Sequence, residues 1–489
     1  MSNVRRKLRE REHLLLGWWI DSMLEPRSWR DGEIHDPESL PINELCSIKP
    51  ATLSSHTCIV AQSGSGKSFF MGRLLEEILL ATRSNIIVID PNFDYARFHS
   101  VIPDKEWKPA RYDVSERRGM LPTERSTSGF AKFQRSRAMS FRIYSNRKFR
   151  KNLPANVECL PLRIEYGQLS ADFFYDENSP SKEITQMTVA HEFAMATMAV
   201  LLRKQYGTKL DKAKPFTATT SPESLTPLVA LSPTKLRKQL EAGQSDPSAL
   251  ESKIRVACEL AAFVTRQTWK GYLQALAHLR FEDVLSMETT FAEGADEPVR
   301  FQVIDISSAA GSYKDRVTEV ILRDALTRAQ RRWEWALKRR SELDERVPTF
   351  IVIEEAQNVA PSLSPGQGRT SCGEVVRRIA AEGRKYGLHL LIVTQRPEKV
   401  DPMILSEVEN VALLRLNTPY ALRKTIETFG FEGYSSRQLD SVLRFPVGRA
   451  LLLGRWVENN PQLLYVAMRR SREGVRNLKT RYWAVPPTW

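Results

Sequence analysis

Long apolar runs are absent from this chain. None of its 489 residues belongs to an uninterrupted hydrophobic stretch of the ~18 residues a membrane-spanning helix requires, so no membrane partner is expected. The leading segment, Arg5-Arg6-Lys7-Leu8-Arg9-Glu10, has no apolar core of the kind that marks a secretory leader. Cysteine is scarce: Cys46, Cys58, Cys159, Cys258 and Cys372 lie scattered, without CxxC or Cys/His spacing. That pattern excludes a disulfide framework and a zinc site, and reads as reduced thiols of a soluble intracellular protein. The seven histidines also lack ligand spacing, and His56 reads as a packing residue. Acidic residues are outnumbered, 58 against 72 Lys and Arg, and the net charge of +14 suggests a polyanionic partner. No internal repeat and no nuclease motif is found.

What is present begins with Cys58-Ile-Val-Ala-Gln-Ser-Gly-Ser-Gly-Lys67-Ser68. An apolar strand (57–61) runs into a glycine-containing turn and then a helix expected over 69–82. Backbone N–H groups of such a turn point at phosphate oxygens, and the helix N-terminus adds partial positive charge. Gln62, Ser63, Gly64, Ser65, Gly66, Lys67 and Ser68 would therefore bind the phosphates of ATP. Lys67 would reach the β- and γ-phosphates and the Ser68 hydroxyl would ligate Mg²⁺. Gly64 and Gly66 would let the backbone approach where a Cβ would block it. The plain alternative is a chance Gly-Lys-Ser turn, which the strand-loop-helix context disfavours.

Apolar strands recur along the chain, at 86–90, 300–306, 349–353, 388–394, 411–416 and 450–453, and a long helix is expected over 315–340. Strands alternating with helices indicate an α/β protein whose sheet is mainly parallel and covered on both faces. Residues 1–50 read as a short lead-in, 51–470 as the core, and about 97–297 as a largely helical insertion, with helices expected at 181–202 and 251–287 and a polar loop at 207–250. Within that insertion, Lys105–Lys151 carries fourteen Lys or Arg against four acids. Phe133, Phe141, Tyr144 and Phe149 interleave with the basic residues. Arg135, Arg137, Arg142, Arg147, Lys148, Arg150 and Lys151 are candidate DNA contacts; the alternative makes the aromatics core residues of the insertion.

Thr349-Phe-Ile-Val-Ile-Glu354-Glu355-Ala-Gln357 is an apolar strand ending in two carboxylates. Phosphoryl transfer to water needs one acid near Mg²⁺ and a second that orients or deprotonates the water. Glu354 is the candidate for the first role and Glu355 for the second, against the alternative of a solvated acidic pair. Leu388–Thr394 is another buried-type strand, and Thr394 and Gln395 would contact the γ-phosphate or the water. A guanidinium in the basic run 377–387 before that strand is either a charge stabiliser for a neighbouring subunit's nucleotide or part of a solvated helix end.

With these motifs in order, the sequence resembles the HerA/FtsK superfamily of ring-forming P-loop ATPases, and within it HerA-like proteins. The resemblance rests on residues 56–68, Ile89-Asp90-Pro91 with Asp94-Tyr95, Val303–Ser307, Ile353–Gln357, Glu382–Gly387 and Val393–Pro397. It implies a RecA-like core, a homohexameric ring binding ATP and Mg²⁺ between subunits, and passage of double-stranded DNA through a pore. It also implies a prokaryotic cytoplasmic setting and a nuclease or other effector as partner, in DNA repair or antiphage defence. The family's arginine finger falls on Arg384. Ala61 replaces a glycine, and Glu354 stands where the family usually has Asp. Residues 1–50 are too short for the family's complete N-terminal β-barrel. The tail, 471–489, is expected to reach the adjacent subunit. An ATPase ring that regulates an effector with little translocation is the competing function.

Overall fold

The computed structural model describes residues 14–20, 42–102, 140–145, 153–160, 162, 190, 299–308, 311–339, 346–362, 371–467 and 469–474. The chain divides into two compact units, Met1–Leu160 with Glu297–Trp489, and Pro161–Asp296. Within the second unit only Leu162 and Ala190 are described, and both are buried. The expected helices over 181–202 and 251–287 and the loop over 207–250 otherwise lie outside the described residues.

The first unit is built on strands β1 (Leu14–Ile20), β2 (Ile42–Ile48), β3 (His56–Val60), β4 (Asn85–Asp90), β5 (Phe141–Tyr144) and β6 (Val157–Leu160). It continues with β7 (Phe301–Asp305), β8 (Thr349–Ile353), β9 (Leu388–Thr394), β10 (Val408–Leu413), β11 (Arg449–Gly454) and β12 (Gln462–Val466). They form one 12-stranded sheet in the order β2-β1-β12-β11-β10-β3-β9-β8-β4-β7-β5-β6. From β10 to β6 every neighbouring pair is parallel, while β11, β12, β1 and β2 extend the sheet antiparallel. The central strands β3, β4, β8 and β9 are buried along their whole length, as strands covered on both faces must be.

Helix α1 (Lys67–Ala81) follows β3 and buries Phe70, Met71, Leu74, Leu75, Ile78 and Leu79. It ends where Thr82 turns extended and its hydroxyl donates to the Ile78 carbonyl at 2.7 Å. Helix α2 (Gly311–Arg339) packs against α4 (Ser371–Tyr386), which lies beside β9. The short helix α3 (Ala356–Val359) follows β8.

Two domain boundaries and one strand differ from expectation. The lead-in is part of the sheet: β1 buries Leu14 and Leu16 against the core, and α1 holds its backbone. There, buried Glu77 accepts from Leu15 N at 2.8 Å and Arg73 donates to the Leu15 carbonyl at 2.8 Å. The stretch read as insertion from about 97 also supplies β5 and β6 to the sheet, so the separate unit starts only at Pro161. Phe141 explains why, since its ring is buried against Phe301 on β7 at a centroid distance of 5.2 Å. The strand expected at 411–416 runs over Val408–Leu413, with Leu414 and Leu416 still buried beyond it.

Candidate active site

Three strands that are neighbours in the sheet, β3, β9 and β8, end side by side, and their C-terminal extensions carry the candidate residues. Val60 pairs with Thr394, and Ile353 with Ile392. The expected phosphate loop leaves β3 at buried Ala61, whose N–H donates to the Thr394 carbonyl at 3.1 Å. It then closes on itself through Ser65, whose N–H and hydroxyl both donate to the Gln62 carbonyl, at 3.1 and 2.6 Å. Gln62 Oε1 accepts from Asn417 N at 2.6 Å, while Ser63 and Gly64 are exposed at the tip. Gly64 and Gly66 have φ of +74° and +94°, a left-handed backbone that explains glycine at both positions.

Lys67 and Ser68 open α1. The Lys67 ammonium is ion-paired with Glu355 and lies 3.2 Å from Glu354 Oε2. Burial acts to lower its pKa, but the two carboxylates outweigh burial and the net shift is upward. Glu355 has a left-handed backbone, φ +51°, a conformation costing on the order of 1–3 kcal/mol for a non-glycine residue. Lys67 and Gln395 both donate to its Oε1, the latter at 2.9 Å, and Gln357 donates to Oε2 at 2.7 Å. Burial works to raise the Glu355 pKa, yet these donors prevail and leave it below its ordinary value. Gln357 is held in turn by the Thr394 hydroxyl at 2.6 Å. Glu355 is thus an ionised, oriented carboxylate beside a lysine, as a group that holds or deprotonates water must be.

Glu354 is different. It is buried, accepts from the Tyr95 hydroxyl, and burial raises its pKa against the offsetting Lys67 charge. Asp94 Oδ2 lies 3.4 Å from the Ser68 hydroxyl, and Asp90 accepts the N–H groups of Asn92, Asp94 and Tyr95, at 3.2, 3.0 and 2.8 Å. The loop after β4 therefore brings a further acid to the site, because β4 is the neighbour of β8. Asp94, Tyr95 and Gln357 stand in the sequence motifs, which assign them no role. The signal available was their position directly after two strand ends. Ser68, Asp94 and Glu354 are hard oxygen donors, which fits Mg²⁺.

Arg384 stands elsewhere. It donates to the Glu409 carboxylate and to the Glu407 carbonyl, the latter at 3.3 Å. Glu409 lies where β10 flanks His56 and Thr57, at the end of β3 away from the phosphate loop. The rise from Thr57 to Val60 alone is ~10 Å. Arg384 therefore does not reach the Lys67 of its own chain.

Of the basic stretch, Arg142 lies on β5 and donates to Glu158 on β6 at 2.7 Å. Arg135, Arg137, Arg147, Lys148, Arg150 and Lys151 lie outside the described residues. So does the tail beyond Gly474, whereas Ser471–Gly474 lies on its own subunit through the bridge of Ser471 to Val101.

The chain is 32% identical over 158 residues to the DNA double-strand break repair helicase HerA of Sulfurisphaera tokodaii, covering 32% of this chain and 30% of that protein. The Pyrococcus furiosus protein of the same description is 27% identical over 189 residues, with coverages of 34% and 32%. The chain thus aligns with about a third of the length of these curated relatives. Among solved structures, the bacterial conjugative coupling protein TrwB matches with a TM-score of 0.47 and 11% identity, over 95% of each chain. The profile of the family described as "Helicase HerA, central domain" matches residues 46–325, from β2 through the phosphate loop to the middle of α2. The matched span holds the lysine-bearing loop and the Asp94 turn, while the carboxylates and glutamine that meet that loop follow beyond residue 325, and the chain belongs to the HerA central-domain family, in the HerA/FtsK class of P-loop ATPases.

Proposed function

We propose that this protein is an ATP-hydrolysing motor that assembles as a homohexameric ring and moves on double-stranded DNA. The observation that carries the reading is Glu355, held ionised between Lys67 and Gln395 at the mouth of the phosphate loop. Gln62–Ser68 would cradle the triphosphate, with Lys67 exchanging its carboxylates for β- and γ-phosphate oxygens. Ser68, with Asp94 and Glu354, would hold Mg²⁺, which when bound neutralises charge on the phosphates. Glu355 orients the attacking water and takes its proton, and Gln395 fixes that carboxylate from the neighbouring strand. Arg384, turned away from its own loop, would complete the site of the adjacent subunit.

The relatives' description as DNA double-strand break repair helicases supports DNA as the substrate and repair as the setting, and antiphage defence is the other setting proposed. A nuclease or other effector protein is the proposed partner. Among the described residues no helix is long and apolar enough to cross a membrane.

The test is ATP hydrolysis by the full chain with and without duplex DNA across a salt series. Hydrolysis should rise with DNA, fall to background in Lys67→Ala, and DNA affinity should weaken steeply with salt as phosphate counterions are released. Charge reversal at Arg147, Lys148, Arg150 and Lys151 should flatten that salt slope. An unchanged slope would move the contact elsewhere. Hydrolysis indifferent to DNA would favour a ring that regulates an effector without translocating.

A further inference from the structure

The segment Arg469–Gly474 crosses the first turns of α1 and reaches the side of the site where Ser68 and Asp94 lie. The buried Arg469 guanidinium donates to the Ser68 carbonyl at 2.8 Å, to the Ser471 hydroxyl at 3.2 and 3.0 Å, and to the Arg472 carbonyl at 3.4 Å. It also lies 3.5 Å from Glu473 Oε1 and 5.8 Å from the centroid of the Phe98 ring. Glu76, buried on α1, accepts from Arg470 N, Ser471 N and the Ser471 hydroxyl, at 2.8, 2.6 and 2.6 Å. Arg472 N donates to the Ser100 carbonyl and Gly474 N to the Asp94 carbonyl, both at 2.8 Å.

Two glycines far apart in sequence make this crossing possible. A Cβ on Gly72 would lie 2.3 Å from Arg469 Cζ, so the guanidinium lies directly on the helix backbone. A Cβ on Gly474 would lie 1.6 Å from the Phe93 carbonyl oxygen, so the segment touches the loop that carries Asp94. Hydrogen bonds to Glu76 and Ser100 are what any packed terminal segment would form. The bonds from Arg469 and Gly474 are more pointed, since they end on the backbone of the two residues whose side chains face each other at 3.4 Å.

We propose that Arg469 and Gly474 are positioning residues for the metal side of the nucleotide site. They hold Ser68 and Asp94 at their mutual spacing, so that the site favours Mg²⁺-bound over metal-free nucleotide. The proposal rests on the nucleotide-binding reading above. Orienting groups behind metal ligands change metal-dependent affinity while leaving metal-independent contacts intact.

The experiment is equilibrium binding of a fluorescent ATP analogue to the full chain, in Mg²⁺ and in EDTA, with a thermal unfolding curve for each variant. In the parent, Mg²⁺ should tighten binding. Arg469→Ala should reduce that Mg²⁺-dependent gain by about tenfold, the weight of one charge-assisted hydrogen bond, with the affinity in EDTA within about twofold of the parent. Gly474→Ala should act in the same direction, and Arg469→Lys should recover part of the gain. If Arg469→Ala fails to fold, Gly474→Ala and Arg469→Lys decide the question. Folded variants that keep the parent's gain, or lose affinity equally in both conditions, would overturn the proposal and leave the segment as packing. A folded parent that binds no nucleotide in either condition would be a different failure, that of the nucleotide reading itself.

Discussion

Replacing Glu355 by Gln removes the carboxylate's charge and proton affinity while keeping its length. In the folded chain Oε1 accepts from Lys67 and Gln395, and Oε2 accepts from Gln357 at 2.7 Å. The amide oxygen can replace Oε1, but its NH₂ then meets the Gln357 NH₂ donor to donor. Gln357 must turn its own amide over, which withdraws the oxygen that the Thr394 hydroxyl donates to at 2.6 Å. That hydroxyl, already an acceptor from Arg396 N at 3.1 Å, has a second lone pair and can accept from the turned amide. The expected loss of stability is therefore small, ~1 kcal/mol, the net value of one hydrogen bond. Hydrolysis should fall much further, by about 10²–10⁴-fold, the usual contribution of a positioned base. Nucleotide binding should hold or tighten by up to about fivefold, because Lys67 loses one of two carboxylates that compete with phosphate, a pair worth ~1 kcal/mol. Single-turnover hydrolysis and nucleotide binding, measured on one preparation, separate these effects. A variant that turns over within about threefold of the parent would pass the base role to Glu354. A variant that is inactive because it no longer binds nucleotide would refute the ion-pair argument.

Two further outcomes follow from the geometry. Arg384→Ala and Lys67→Ala subunits should each be inactive alone, and rings mixed from both should regain part of the activity, since Arg384 lies at the end of β3 away from its own Lys67; demonstrably mixed rings without recovery would make Arg384 structural. Burial pushes the His56 imidazole down from 6.5 to about 4, and its ring accepts from Leu390 N and donates to the Ala380 carbonyl, each at 2.9 Å. The unfolded chain thus binds the proton first as pH falls, so His56 contributes stability that is full above 6.5 and is lost on acidification toward about 4. His56→Gln should reduce the slope of unfolding free energy between those values by about 1.4 kcal/mol per pH unit, read by denaturant titration, and an unchanged slope would contradict the assignment.

Local chemistry made much of this protein legible from its residues. The turn holding Gly64, Gly66, Lys67 and Ser68 is a contiguous segment whose conformation follows from its own glycines and the helix after it, and Glu354 and Glu355 follow a short β-branched apolar run of the buried-strand type. The family resemblance rested on the same local runs. Lateral order in the sheet was another matter. That β9 lies between β3 and β8, setting Gln395 against Glu355, depends on which buried strands pair, and similar runs of Val, Ile and Leu do not encode their neighbours. The same holds for β1, which reads as a lead-in because its burial comes from α1 and the distant β12, and for β2, which pairs with β1. Phe141 and Tyr144 looked equally suited to a separate insertion until pairing with β7 put them in the sheet. Asp94 meets Ser68 across 26 residues and Arg469 meets it across 401, with Gly72 and Gly474 leaving room for the segment that carries Arg469. Sequence by itself determined which segment carries the phosphate-loop pattern and which strands end in acids, because those properties are carried by neighbours along the chain. The tertiary structure decided which of those ends meet, because strand pairing and burial join residues that the chain keeps apart.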